Sequence, residues 1–100
     1  MDNYAVKLLS RAYRDLDGIY AYIAETLLEP GTAGKLLNAL EEAVFSLEQF
    51  PQRGAPRKTG AYANKGYRQL FIKNFTVVYR VNEKQKQVIV VTVKYSISQF

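Results

Sequence analysis

The apolar residues in the first half of the chain have the spacing of two amphipathic helices. A short alternating segment at 4–9 predicts a strand, and apolar side chains then recur three and four positions apart over 12–27 and over 33–50. This period places them along one face of each helix. Ser10 and Thr32 precede these runs and are the predicted N-caps. Because only a few residues separate the two runs, we predict an antiparallel helical hairpin.

The second half of the chain changes to the period of β-strands. Residues 51–66 contain two prolines and three glycines without a regular period, which predicts a long loop. Three segments rich in β-branched and aromatic residues follow, at Tyr67–Ile72, Phe75–Val81 and Val88–Tyr95. Lys73-Asn74 predicts a tight hairpin turn in which Asn takes a positive φ. The last segment is apolar on both faces, so we expect it at the centre of the sheet.

The order of these elements predicts the fold class. A β-α-α-β-β-β order in 100 residues indicates a single α+β domain over 1–100, with an antiparallel sheet and a two-helix hairpin on one face. Two helices cover only one face, so the loop, the C-terminal tail or a partner chain is expected to cover the other. The strand aromatics alternate and are therefore assigned to the core rather than to base stacking: Tyr67, Phe71, Phe75 and Tyr79.

The sequence lacks both cysteine and histidine, and their absence limits the chemistry that the protein can perform. The chain has no cysteine, which excludes disulfides and thiolate metal sites, and no histidine, which removes the commonest metal ligand and general base. We therefore expect no metal and no cofactor. No apolar run approaches the roughly 20 residues of a membrane span, and no signal peptide is recognisable, so the sequence predicts a cytoplasmic protein.

Charge is divided sharply between the two halves. Residues 1–50 carry four basic and eight acidic side chains, whereas 51–100 carry ten basic side chains and one acid, Glu83. Such a split predicts a positive surface that meets nucleic acid or an acidic protein. A loop that is basic only for solubility is the plainer alternative. The candidate target- or phosphate-binding residues of the loop are Arg53, Arg57, Lys58 and Lys65.

Four segments, taken together and in this order, carry a resemblance to a known family. They are Arg-Ala-Tyr-Arg-Asp-Leu-Asp-Gly-Ile-Tyr at 11–20, Leu-Glu-Gln-Phe-Pro-Gln-Arg-Gly at 47–54, Gly-Tyr-Arg at 66–68 and Val-Val-Tyr-Arg-Val at 77–81. The chain resembles the RelE/ParE superfamily of toxins from bacterial type II toxin–antitoxin modules over nearly its whole length. The resemblance implies a toxin that arrests growth, takes part in plasmid stabilisation and is neutralised by a cognate acidic antitoxin in a hetero-oligomer.

The resemblance leaves the target open. ParE-like members block DNA gyrase, and their strands are the more similar, with an apolar residue or Thr at the position of Thr76; gyrase is therefore the first expectation. A ParE-type tail usually continues beyond a His, where this chain has Tyr95. RelE-like members cut messenger RNA on the ribosome without metal and have Arg at the position of Thr76. A module that binds nucleic acid or protein without toxicity is a third alternative.

A nuclease of the RelE type would use the RNA 2′-hydroxyl as nucleophile, with acid and base groups and with cations around the phosphate. Whether the chain is an enzyme is left open by its sequence, because the loop has no carboxylate to act as a base. The alternative assignment for the strand arginines is a solvent-facing position or a pairing with helix acids. If it is a nuclease, the candidate catalytic residues are Arg68, Arg80, Lys73, Lys94 and Tyr95.

Overall fold

Five strands form one sheet, and two helices pack against one of its faces. The computed structural model describes residues 3–96. The α+β fold and the order of elements are as predicted, with one short strand added inside the predicted loop. The elements are β1 (Ala5–Leu8), α1 (Ser10–Ala21), a π-helical turn (Tyr22–Thr26), α2 (Pro30–Ser46), β2 (Ala55–Pro56), β3 (Arg68–Ile72), β4 (Phe75–Asn82) and β5 (Gln87–Tyr95).

The sheet has the strand order β1-β5-β4-β3-β2. Strands β3, β4 and β5 form the predicted antiparallel meander, and β2 adds two residues to the outer edge of β3. The first strand differs from the expectation of a wholly antiparallel sheet, because β1 runs parallel to β5. Pairing with β1 on one side and β4 on the other gives β5 an interior position, one strand away from the predicted centre, which β4 occupies.

Three local predictions at the ends of elements are wrong. Ser10 is already the first residue of α1, and Leu9 caps that helix without a side-chain hydrogen bond. Helix α2 begins at Pro30, so Thr32 lies inside it; proline suits the first turn because it lacks an N–H and its φ is fixed near the helical value. In the β3–β4 turn it is Lys73, with φ of 55°, that takes the left-handed conformation.

The hydrophobic core lies between the helices and the sheet. Alternate strand residues face the helices, and α1 and α2 meet them with their apolar stripes. The buried residues of this cluster include Ala12, Leu16, Leu40, Val44, Leu47, Val77, Tyr79, Val88, Val90 and Val93. Strand β5 is buried on both faces, as predicted, since no side chain from Val88 to Val93 is more than 7% exposed.

The loop between β2 and β3 lies against the second face of the sheet. Gln69 is paired with Val78, so both side chains are on this face, and Arg57 Nη1 donates to Gln69 Oε1 at 2.9 Å. Further along the loop, the Tyr62 hydroxyl accepts a bond of 3.4 Å from Nη1 of Arg11, next to the opposite edge of the sheet. The loop is thus one of the expected covers for this face, where Val78 is fully buried. The predicted cover by tail residues 97–100 lies outside the described residues.

The strand aromatics differ in their burial. Tyr79 is fully buried in the helix-side core, and Phe75 packs against that core while half-buried. Tyr67 is half-buried and contacts Tyr62 of the loop, with ring centroids 5.0 Å apart. The core assignment is wrong for Phe71, whose side chain is 61% exposed. Its partner across the strands is Thr76, on the sheet face opposite the helices, and β2 ends before it can cover that position.

The Tyr79 hydroxyl fastens the beginning of the long loop to the sheet. It accepts a hydrogen bond of 2.8 Å from Gly54 N and donates one of 2.9 Å to the Pro51 carbonyl oxygen. Arg68 Nε donates to the Gly54 carbonyl oxygen at 2.9 Å, so both backbone polar groups of Gly54 are satisfied in a buried position.

Tyr79→Phe is expected to lower the free energy of unfolding by about 1–3 kcal/mol, because it leaves the Gly54 N–H and the Pro51 carbonyl buried without their partner. Chemical denaturation measures this difference. Tyr13→Phe is the matched control, since Tyr13 is 58% exposed and its change should be close to neutral. Equal stability of the Tyr79 variant and the wild type would contradict the anchoring role.

Candidate functional site: a basic-rimmed apolar groove

A groove of about 1010 Å³ lies between the helical hairpin and the end of the sheet that holds the β3–β4 turn. Both helices, the π-helical turn, β4 and β5 contribute to its walls. Its apolar lining includes Ile19, Ile23, Leu36, Phe75 and Val93. These residues continue the core outward, so the groove exposes hydrophobic surface that residues 3–96 do not cover.

Two features of the first helical segment hold this groove open. Gly18 lines it, and a Cβ added at this position would meet no atom within 4 Å. The helix then changes to π geometry at Tyr22–Thr26, which adds a residue to the turn and alters the direction of the side chains that follow. Tyr22 and Leu27 are left 57% and 48% exposed at the groove.

The groove carries a positive charge. Four basic side chains line it, against a single carboxylate among the described lining residues, that of Asp15. The basic residues come from all parts of the fold: Arg14 from α1, Lys35 from α2, Lys73 from the β3–β4 turn and Lys94 from β5. An anionic group bound here would be attracted from several sides.

The Asp15 carboxylate accepts hydrogen bonds from three consecutive residues of β5. They come from Thr92 Oγ1, from Val93 N at 3.1 Å and from Lys94 Nζ at 3.2 Å. Strand β1 ends at Leu8, opposite Val90, so no strand within residues 3–96 pairs with this edge of β5 beyond that point. Asp15 supplies the acceptor that a longer β1 would have given, and its ion pair with Lys94 fixes one cation at the groove.

These contacts set the protonation of Asp15. Partial burial by itself raises the pKa of the carboxyl, but the hydrogen bonds from Thr92, Val93 and Lys94 outweigh it, with the charge of Lys94 adding to them. The pKa of Asp15 therefore lies below its ordinary value. Asp15 is ionised at neutral pH and compensates the charge of Lys94 there.

Three of the predicted catalytic residues meet in the groove. Lys73, Lys94 and Tyr95 all line it, and the Tyr95 ring packs against Phe75 with centroids 5.5 Å apart. Their assignment to acid, base or phosphate contacts stays a prediction. The groove thus brings together residues that are distant in the sequence.

The other two predicted catalytic residues are not brought together. Arg68 is paired with Tyr79 across β3 and β4, and residues paired in this way point to the same face of a sheet. Arg80 follows Tyr79 and therefore points to the opposite face. Arg68 is held on the helix side by the carbonyl oxygens of Gly54 and Gln52, at 2.9 and 3.3 Å, whereas Arg80 is exposed.

Among the four basic residues predicted to bind a target, the two arginines make hydrogen bonds within the protein and the two lysines are exposed. Arg57 is only 7% exposed and donates to the Ala61 carbonyl oxygen as well as to Gln69, so its guanidinium organises the loop. Arg53 donates to Ser46 Oγ at 2.7 Å, next to the end of α2. Lys58 and Lys65 are exposed. Binding of a target by this set stays a prediction.

Three residues of the groove were missed by sequence reasoning. Arg14 and Lys35 belong to the acidic half of the chain, where single basic residues give no signal, and Asp15 looks like one more acid of a solvated helix face. Their importance comes from neighbours such as Lys94, which no local pattern connects to them. The one available signal is the helix motif around Asp15, which carries the family resemblance.

Neither a metal-binding cluster nor a membrane-spanning helix is found in the part of the chain that the structure describes. No cluster of three or more His, Cys, Asp or Glu side chains that could hold a metal ion occurs between residues 3 and 96. Over the same range, no helix has both the length and the apolar character needed to cross a membrane.

Comparison with known proteins identifies the family. A family model described as the ParE toxin of the type II toxin–antitoxin system parDE matches residues 6–96. The chain belongs to the ParE toxin family. It is thus a type II toxin within the RelE/ParE superfamily, as the sequence motifs predict. No curated protein sequence matches this ParE toxin.

Solved structures have the same fold as this ParE toxin. The chromosomal ParDE toxin–antitoxin system of P. aeruginosa includes a chain that is 26% identical, with a TM-score of 0.75 over 92% of this chain and 95% of that one. The toxin–antitoxin complex RelBE2 of Mycobacterium tuberculosis is similar at 21% identity, with a TM-score of 0.70 over 95% and 93%. An archaeal RelE–RelB complex from Pyrococcus horikoshii reaches 15% and 0.60, over 95% and 97%.

Proposed function

We propose that this ParE toxin arrests growth by binding a protein target, DNA gyrase, in the cytoplasm. The observation that carries this proposal is the placement of Arg68 and Arg80 on opposite faces of the sheet. A ribonuclease of the RelE type needs several cations around one phosphate in the transition state. Two arginines separated by the sheet cannot contact the same phosphate, and Arg68 is already bonded to the backbone of the loop.

Ribosome-dependent cleavage of messenger RNA is the second candidate. The observation in its favour is the convergence of Lys73, Lys94 and Tyr95 on one groove. A phenol and two ammonium groups could serve as acid, base and phosphate contact without a metal. The ion pair of Lys94 with Asp15 argues against a free role for that lysine as a base, because its Nζ is held at 3.2 Å from the Asp15 carboxylate.

The proposed partner is a cognate antitoxin. The similar structures from P. aeruginosa and M. tuberculosis are described as a toxin–antitoxin system and a toxin–antitoxin complex. The formal net charge of this chain is +5, so an acidic antitoxin would associate rapidly and with favourable electrostatics. Binding of that antitoxin is expected to block the toxin and restore growth.

Induced expression in bacteria tests the proposal. We expect growth arrest that is relieved when a small acidic protein encoded next to the toxin is co-expressed. The purified toxin should inhibit DNA supercoiling by gyrase, while primer extension finds cellular messenger RNA intact. Arg68→Ala should act through loss of stability, whereas Arg80→Ala should leave the fold intact because its side chain is exposed.

Other results would favour the alternatives. Cuts in messenger RNA that follow the codon phase, with normal gyrase activity, would replace the gyrase proposal by the nuclease. Loss of cleavage in Lys73→Ala and Tyr95→Phe, with unchanged folding, would then locate the catalytic groups in the groove. If abundant, folded protein does not slow growth, the chain is a binding module without toxicity.

A further inference from the structure

We propose that the second face of the sheet, together with the loop that lies against it, binds the phosphate backbone of duplex DNA. This surface is on the side of the sheet opposite the helices. A nucleic-acid ligand for the toxin itself goes beyond the inhibition of gyrase, although the choice of DNA over RNA rests on that proposed function.

A row of side chains on this face places two cations on either side of an isoleucine. Lys7 of β1 and Arg80 of β4 are both paired with Ile89 of β5, so the three residues lie side by side across adjacent strands. They point away from the helices, because their neighbours along each strand belong to the helix-side core or pack against it. Lys7 and Arg80 are exposed, with Cα atoms about 10 Å apart over two strand spacings. Both can therefore contact one extended polyanion.

The loop adds further cations beside this row. It crosses the face from β3 to the beginning of α1, where Nη1 of Arg11 donates to the Tyr62 hydroxyl. Lys58 and Lys65 are exposed on the loop. Together the row and the loop contribute four exposed cations from segments that are distant in the sequence.

The backbone of the loop has an unusual conformation. Tyr62 and Asn64 have positive φ of 69° and 58°, and they lie between two glycines of positive φ, Gly60 and Gly66. Left-handed backbone is costly for a residue as bulky as Tyr62, and such strain is concentrated at functional sites. Arg57 stabilises the loop from within, because its Nε donates to the loop backbone at 2.6 Å and its carbonyl oxygen accepts from Asn64 N. An ordered loop loses little conformational entropy when it binds a ligand.

Within the part of the chain that the structure describes, no carboxylate forms an ion pair with these four cations. The ion pair found between residues 3 and 96 joins Lys94 to Asp15. Glu83 is the only acid after residue 50, and it accepts hydrogen bonds from Tyr4 and Gln52. Tyr4 packs against the helix-side core, so the Glu83 carboxylate is directed to that side. The potential above the second face is therefore positive.

The character of this surface favours a nucleic acid over a protein. The core of a protein–protein interface is apolar and poor in lysine, whereas interfaces with DNA are more polar and strongly positive. Here the apolar centre is closed, because Val78 is fully buried and Ile89 is only 7% exposed. The side chains that remain accessible around it include the four cations, which suit phosphate groups.

The aromatic residues of this face favour a duplex over a single strand. Single-stranded nucleic acids bind to accessible rings on which their bases stack. Tyr62 and Tyr67 are half-buried and pack against each other, with ring centroids 5.0 Å apart. Phe71 is exposed, but it lies at the other end of the face, next to the β3–β4 turn. The cations are thus better placed for contacts with the outside of a duplex.

Titration of duplex DNA with the purified toxin is the direct experiment. A fluorescein-labelled duplex of about 20 base pairs is followed by fluorescence anisotropy in the absence of gyrase. We expect saturable binding that weakens with salt, because each neutralised phosphate releases counterions. Four phosphate contacts give a slope of about −3.6 for log K against log salt concentration, which is about 150-fold lower affinity at about 200 mM than at about 50 mM.

Single substitutions locate the contacts. Lys7→Gln and Arg80→Gln should each lower the affinity about three- to tenfold and make the salt slope less negative by about 0.9. Lys35→Gln is the matched control, because it removes the same charge from an exposed position of α2, on the helix side of the sheet, and should leave the slope unchanged. All three positions are exposed, so thermal unfolding followed by circular dichroism should be the same in every variant.

Several results would overturn the assignment. One is the absence of saturable binding, and another is a loss of affinity in Lys35→Gln as large as in Arg80→Gln, which would reduce the binding to attraction by the net charge of +5. Tighter binding of single-stranded RNA, with the same sensitivity to Arg80→Gln, would assign the face to RNA. Binding of polyglutamate without binding of the duplex would assign it to an acidic protein.

The titration contains no gyrase, so the two proposals fail separately. A toxin that binds the duplex through Lys7 and Arg80 but does not inhibit supercoiling would contradict the proposed function alone. Inhibition of gyrase by a toxin without affinity for the duplex would contradict the DNA-binding surface alone. Binding and inhibition that both weaken in the double variant Lys7→Gln/Arg80→Gln, but not in Lys35→Gln, would support both.

Discussion

Replacing Gly54 by alanine is expected to destabilise the protein by about 3 kcal/mol. A Cβ at this position would lie 2.4 Å from the Gln69 carbonyl oxygen and 2.8 Å from the Tyr79 hydroxyl. The first contact is with the backbone of β3, which cannot rotate away as a side chain can. The β2–β3 pairing, in which Ala55 faces Gln69, would have to open.

The cost combines two causes. Overpacking of a closed site typically costs about 1–3 kcal/mol, and each hydrogen bond lost between Tyr79, Gly54 and Arg68 adds about 1 kcal/mol. Urea denaturation measures the sum. Gly34→Ala serves as the control, because the same change in the open part of α2 should stabilise the helix by up to about 1 kcal/mol. A Gly54 variant as stable as the wild type would show that the loop can leave the sheet without penalty.

Asp15→Ala is expected to lower the free energy of unfolding by about 2–3 kcal/mol at pH 7. The side chain is 14% exposed, and its removal leaves the Val93 N–H and the Thr92 hydroxyl without their acceptor. It also releases Lys94 from its position at the groove. Asp17→Ala is the control, since Asp17 lies on the same helix and is exposed.

The effect of Asp15 should depend on pH in a defined direction. The pKa of Asp15 is lower in the folded protein than the 3.8 of an ordinary aspartate, so the unfolded chain binds the proton more readily. Its stabilisation is complete above about pH 5 and is lost as the pH falls through the folded-state pKa. The difference between wild type and Asp15→Ala should therefore shrink on acidification. A difference that is constant from pH 7 to pH 3 would mean that the ionised carboxylate is not the stabilising species.

The periodic parts of the fold could be predicted from the sequence. The helical hairpin follows from apolar residues three and four apart, and the interior position of β5 follows from a strand that is apolar on both faces. The ends of the elements are predicted less accurately. Pro30 and Thr32 are both acceptable near the start of a helix, and tertiary packing decides which of them begins α2. Phe71 alternates correctly with its neighbours, but the two-residue β2 leaves it uncovered.

The candidate site likewise has one feature that the sequence could predict and one that it could not. Once Lys73-Asn74 is taken as a two-residue turn, Ile72 must pair with Phe75, and the register then places Arg68 opposite Tyr79. The separation of Arg68 and Arg80 onto opposite faces was therefore available from the sequence. The link between Asp15 and Lys94 was not, because it joins an early helix to the last strand and depends on where β1 ends.

The pairing of β1 with β5 also has a consequence for biosynthesis. Ala5 pairs with Gln87, so β1 can pair with β5 only after nearly all of the described chain has been synthesised. Contacts of such long sequence separation form late and slow the folding of a domain. The helical hairpin can form early, but Val93 and Tyr95, which complete the groove, arrive with β5. The groove can therefore form only after β5 has been synthesised and has joined the sheet, so an unfinished chain does not yet present this surface.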